Sequence, residues 1–138
     1  MKIGFIAISG LRMADPRLLE LGMTFPSVAR RAKEIEALPS LGLLTIAGMT
    51  PEDVDVEYLE VRDVDHDNLP LHFDAVALST LSGTAKEAYR LAARFREHGM
   101  PVLLGGLHAT LAPEEARQHV DSLIIGEGEV VWPEVVRD

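Results

Sequence analysis

The sequence predicts a doubly wound α/β domain with five parallel strands in the order 2-1-3-4-5, and three observations predict it. Short aliphatic runs recur and end in small or glycine-rich turns: Ala75-Val76-Ala77-Leu78-Ser79 before Thr80-Leu81-Ser82-Gly83-Thr84, Val102-Leu103-Leu104 before Gly105-Gly106, and Ser122-Leu123-Ile124-Ile125 before Gly126-Glu127-Gly128. Such runs suit strands buried on both faces. Stretches of helical period separate them, and right-handed crossovers then place helices on both sides of a parallel sheet. The 138 residues fit one domain, 1–138, whose apolar side chains are mostly aliphatic, as an α/β core requires.

Lys2–Ile8 is the first strand, with Gly4 inside it and Ser9-Gly10 closing it. The next stretch, about 9–38, is far longer than the usual connection of about 2–6 residues and reads as a structured insertion. Asp15-Pro16 starts one short helix there, and Ser27 caps another with Val28, Ala32 and Ile35 on one face. Residues 39–49 form the helix that belongs to the first strand, with Ser40 as its cap. It is apolar nearly all round and should be heavily buried. Residues 54–60 alternate apolar and polar, as an edge strand with one wet face does. Residues 63–71 are charged and irregular. The third strand is 76–79. Residues 83–98 are the clearest helix, with Ala85, Ala88, Tyr89, Ala92 and Phe95 in one stripe and Gly99 as its stop. The fourth strand, 102–104, is followed by a short helix at Pro113-Glu114-Glu115. The fifth strand is 122–125, and 129–136 starts a last helix. The whole is a flavodoxin-like (Rossmann-like) three-layer sandwich. Ligands in such sheets sit at the C-terminal ends of the strands, where the glycine-rich turns cluster.

Composition excludes several functions. The chain has no cysteine, so it forms no disulfide, thiolate metal site or cysteine-ligated cluster of its own. A net charge of −9 repels nucleic acid and anionic membrane surfaces. No apolar stretch is long enough to span a bilayer, and the first residues lack a signal-peptide cleavage pattern, so a cytoplasmic protein is expected. Ser9-Gly10-Leu11-Arg12-Met13-Ala14 is neither a dinucleotide fingerprint nor a phosphate loop. The acidic cluster and lysine of a phosphoacceptor receiver are missing as well. Three functional classes stay open on the fold alone: a cofactor-binding module, a flavin- or nucleotide-binding domain, and a degenerate docking module.

Five stretches in order narrow the choice: Leu38-Pro39-Ser40-Leu41-Gly42-Leu43, Leu78-Ser79-Thr80-Leu81-Ser82-Gly83-Thr84, Gly105-Gly106-Leu107-His108-Ala109-Thr110, Pro113-Glu114-Glu115 and Gly126-Glu127-Gly128-Glu129. With these the chain resembles the N-terminal cobalamin-binding domain of cobalamin-dependent radical S-adenosylmethionine enzymes. The resemblance implies that the corrin lies across the C-terminal edge of the sheet and that its nucleotide tail enters a slot beside the strands. Ser79, Leu81, Gly83, Thr84, Gly105 and Gly106 match the tail-binding positions. Ser82, Gly126, Glu127 and Gly128 lie in the same turns. Two readings stand for His108: a hydrogen bond to corrin or tail, or a loop histidine that fixes local backbone. Glu127 and Glu129 either contact corrin amides or cap the last helix.

Residues 9–38 contain no histidine, which departs from the branch of the superfamily whose histidine after the first strand ligates cobalt. The resemblance therefore implies a base-off, His-off mode, with Leu11, Arg12 and Met13 near the lower cobalt face. His66, His72, His98 and His119 read as surface groups, and Trp132 as packing or a domain contact. The chain lacks a Cys-x-x-x-Cys-x-x-Cys motif, so a 4Fe–4S cluster and S-adenosylmethionine are expected only in a catalytic domain C-terminal to residue 138. Methyl transfer is the implied chemistry of that whole enzyme.

Overall fold

The computed structural model describes residues 1–8 and 39–137. The expected insertion at 9–38, including Leu11, Arg12 and Met13, lies outside the described residues. The described elements run β1 (Lys2–Ile8), α1 (Leu41–Met49), β2 (Asp55–Val61), β3 (Ala75–Ser79), a 3-10 turn (Ser82–Thr84), α2 (Ala85–Glu97), β4 (Val102–Gly105), α3 (Leu107–Leu111), α4 (Pro113–Ala116), β5 (Ser122–Leu123) and α5 (Gly128–Val135). The sheet has five strands in the order β2-β1-β3-β4-β5, as the sequence predicts. Every pairing is parallel, with Ala7 opposite Ser79 and Ser79 opposite Gly105 at the C-terminal edge.

Side chains alternate between the faces of a strand, and here the alternation sorts the core into two layers. Ile6, Val76, Leu78, Val102 and Leu104 point to the face covered by α2, whose Ala88, Leu91, Ala92 and Phe95 are fully buried. Ile3, Phe5, Ala7 and Ala77 point to the opposite face and meet Leu43 of α1 and Trp132 of α5. The stripe read in α2 is the buried one, and Gly99 ends that helix at φ +78°.

Four expectations change. Helix α1 is not heavily buried: Leu43 is covered, but Leu41 is 73% exposed and Leu44 37%. An all-apolar helix has no single buried face dictated by its pattern, and α1 packs only the side it turns to the sheet and α5. Ser40 stands at its N-cap without a side-chain capping bond; its N–H instead donates to Tyr58 Oη at 2.9 Å. The fifth strand pairs over only two residues, though the Ile124 N–H still reaches the Leu104 carbonyl at 2.9 Å. Helix α3 follows the glycine pair directly, where a loop was expected.

The charged stretch after β2 is well tied down. Asp63 accepts from the backbone of Asp65 and His66, and Asp67 from the backbone of Arg62 and Asp63. These bonds hold both carboxyls below the usual carboxylate range, the largest cause being the His66 side chain at Asp63 and the backbone N–H of Asp63 at Asp67. Arg94 of α2 donates to the carbonyls of Val64 and Asp67, and Val64 and Leu69 anchor the segment in the core.

Candidate functional site

Strand β3 shapes the site through the size of its side chains. On the α2 face it carries Val76 and Leu78; on the other it carries Ala75, Ala77 and Ser79. The small set leaves the C-terminal half of the α1/α5 layer unfilled. A cavity of about 400 Å³ results, walled by Leu43 and Ile46 of α1, Ala77, Leu103 and Ile124 of the sheet, and Trp132 of α5. That volume lies within the range of small-molecule sites, about 300–1,000 Å³.

Three turns rim the cavity, and hydrogen bonds lace them together. The Thr80 N–H donates to the Gly105 carbonyl and the His108 N–H to the Thr80 carbonyl, both at 3.2 Å. Thr110 Oγ1 donates to the Gly106 carbonyl at 3.2 Å and accepts from the Gly126 N–H at 2.9 Å, which joins the turn after β4 to the turn after β5. Gly128, the first residue of α5, is buried, and a Cβ there would stand 2.7 Å from the Ile46 Cδ1 methyl. The absence of a side chain keeps that side of the cavity open.

The structure brings together Ser79, Gly105, Gly106, Gly126, Glu127 and Gly128 on the cavity lining. Leu81, Ser82, Gly83 and Thr84 lie at the same edge but outside the lining. The Thr84 hydroxyl is turned into its own loop, 2.9 Å from that of Thr80 and 3.2 Å from the Leu81 carbonyl. Glu127 occupies the N-cap of α5 without a side-chain capping bond, and Glu129 sits in the first turn. Sequence reasoning missed Gly42, Leu43 and Ile46 of α1, together with Leu107 and Thr110. The one signal that points to them is the run of small residues on alternate positions of β3, which demands something across from it.

His108 is buried on the α2 side of the sheet, away from the cavity. Its Nε2 lies 2.8 Å from Tyr89 Oη, and its Nδ1 lies 3.2 Å from Ser82 Oγ. Tyr89 stacks on His119 with 3.9 Å between ring centres. Burial pushes the Tyr89 hydroxyl above its usual pKa, with the Glu115 carboxylate adding to the shift. His108 thus braces the start of α2 against α3. Tyr89→Phe removes the hydroxyl from His108 Nε2, which then faces only the Glu115 carboxylate at 3.8 Å, and is expected to cost about 1–2 kcal/mol in urea unfolding. Trp132 is a packing residue: it is 1% exposed, sits edge-on to Phe5 at 5.4 Å and donates to Thr50 Oγ1 at 2.9 Å.

The arrangement suits a flat apolar group carried on a polar chain. The wall offers aliphatic and indole surface, and the rim offers backbone amides and the exposed Glu127 and Glu129. Among the described residues, no three His, Asp or Glu side chains group as metal ligands, and no helix is long and apolar enough to cross a membrane.

Known proteins match most of the chain. A bacteriochlorophyllide d C-8(2)-methyltransferase of Chlorobaculum tepidum is 34% identical over 99 residues, 72% of this chain and 22% of that protein. A bacteriochlorophyllide d C-12(1)-methyltransferase of the same organism is 38% identical over 101 residues, 71% of this chain and 22% of its own length. An uncharacterized methyltransferase of Synechocystis is 31% identical over 102 residues, 70% of this chain and 18% of its own. The chain spans about a fifth of the length of these relatives. The family model described as the B12 binding domain matches residues 35–136, which take in α1, the glycine turns and the whole cavity. With three-quarters of its length matched, the chain belongs to the B12 binding domain family.

Proposed function

We propose that the chain is the cobalamin-holding module of a larger, cytoplasmic methyltransferase that works by radical chemistry on S-adenosylmethionine. The observation that carries this reading is the cavity at the C-terminal ends of β3, β4 and β5, about 400 Å³ with an aliphatic and indole inner wall, inside the stretch that the B12 family model matches. In this reading the nucleotide tail enters that cavity past Ser79, Gly105, Gly106, Gly126, Glu127 and Gly128. The corrin rests on the edge beside Leu81, Ser82, Gly83 and Thr84. When bound, cobalamin supplies a cobalt centre able to carry a methyl group; this chain holds and orients it and keeps water from the base. The base-off, His-off mode is supported by the histidines: none of the five lines the cavity, and residues 9–38 contain none. The catalytic domain, with its 4Fe–4S cluster and S-adenosylmethionine, belongs to chain outside these residues; the relatives' greater length leaves room for such a domain, and their names give methyltransferase activity.

The test is Gly128→Leu. Its Cβ would press only on the far end of the Ile46 side chain, which can rotate, so the fold should survive while the new side chain occupies the cavity. Titration with hydroxocobalamin and methylcobalamin, read by visible absorbance and by quenching of Trp132, the one tryptophan in the chain, is expected to give a saturable base-off spectrum for the native protein. The variant should bind at least roughly tenfold more weakly, with unchanged circular dichroism. Equal affinity would remove the tail from this cavity, and no binding by the native chain would remove cobalamin.

A further inference from the structure

Two polar side chains on the cavity wall are already committed. Trp132 Nε1 donates to Thr50 Oγ1, and Thr110 Oγ1 both donates to Gly106 and accepts from Gly126. Ser79 Oγ is the one lining hydroxyl that makes no hydrogen bond among the described residues. The inner wall among the described residues is aliphatic, with Leu43, Ile46, Ala77, Leu103 and Ile124, while the exposed Glu127 and Glu129 carboxylates stand only at the rim. Among the described residues, a base seated against that inner wall meets aliphatic surface and one side-chain hydroxyl, with the carboxylates confined to the mouth.

Natural corrinoids differ in that base. A dimethylbenzimidazole presents methyl groups and a hydrocarbon edge, with one ring nitrogen free of the sugar. An adenine presents three ring nitrogens free of the sugar and an exocyclic amine. Moving polar groups out of water without new partners is unfavourable, because each loses hydrogen bonds that the inner aliphatic wall cannot replace. Moving methyl groups onto an aliphatic wall is favourable.

From this we infer that the cavity selects corrinoids by their lower base, taking benzimidazole nucleotides and discriminating against purine ones. The inference rests on the reading that the nucleotide tail occupies this cavity. Three corrinoids separate the two ideas: cobalamin, the adenine-based cobamide, and cobinamide, which has no nucleotide. Dissociation constants come from absorbance and calorimetry on the 138-residue chain. Expected are tightest binding for cobalamin and weaker binding for the adenine cobamide by roughly ten- to a hundredfold, with cobinamide also well below cobalamin. If adenine cobamide matches cobalamin while cobinamide binds weakly, the tail is in the cavity and the selectivity is refuted. If cobinamide matches cobalamin, the nucleotide contributes nothing and both ideas fall.

Discussion

Gly106→Ala is expected to destabilise the protein by about 3 kcal/mol or more and to lower its melting temperature by on the order of 10 °C. Gly106 has φ +95° and ψ −177°, a region open essentially to glycine alone. A Cβ there would stand 2.7 Å from Ser79 Oγ and from the Thr80 carbonyl oxygen, and 2.9 Å from the Thr80 nitrogen. Two of those atoms are backbone, and the hydrogen bonds from Thr80 to Gly105 and from His108 to Thr80 hold that backbone in place. The new methyl therefore cannot be relieved by a rotamer change. Gly83→Ala is the control: it sits at the same edge with open space around it and should shift stability by no more than about 0.5 kcal/mol. Calorimetry on the two variants checks the contrast, and a Gly106→Ala protein as stable as the Gly83→Ala one would contradict the turn geometry.

Trp132→Ala is expected to cost about 3–5 kcal/mol. The indole is the largest fully buried side chain, and its removal strips the edge-on contact with Phe5 and leaves Thr50 Oγ1 without its donor. The resulting void merges with the cavity, so the wall cannot collapse cheaply. Trp132→Phe keeps the ring and should lose only about 1 kcal/mol beyond packing, mainly the hydrogen bond to Thr50. Urea unfolding followed by circular dichroism measures both, and indole added to Trp132→Ala should raise its midpoint by filling the void.

Much of this fold was legible because its signals are local. The β3 and β4 runs, the α2 stripe and the stop at Gly99 each depend on residues close in sequence, and the strand order followed from right-handed crossovers. The rim of the cavity was legible where glycine marks a turn, as at Gly105, Gly106, Gly126 and Gly128. What escaped depends on contacts distant in sequence. Nothing in 107–111 announces that His108 turns to the α2 face while Thr110 turns to the cavity; that choice is made by Tyr89 and Gly126. Helix α1 was misjudged because an apolar composition states that burial is available, not which side receives it. The two-residue ladder of β5 depends on where β4 turns away, which aliphatic composition alone does not encode.

The unequal residue sizes on the two sides of β3 separate two kinds of mutational freedom. The α2 layer, filled by Val76, Leu78, Leu91 and Phe95, can specify the chain's topology without reference to the ligand. The α1/α5 layer can exchange side chains around the hollow, and so acquire new ligand preferences, while the other layer still dictates where the chain goes. A diversified library confined to Leu43, Ile46, Leu103 and Ile124 would therefore retain many folded members, and the same library size spent on the α2 layer would retain few.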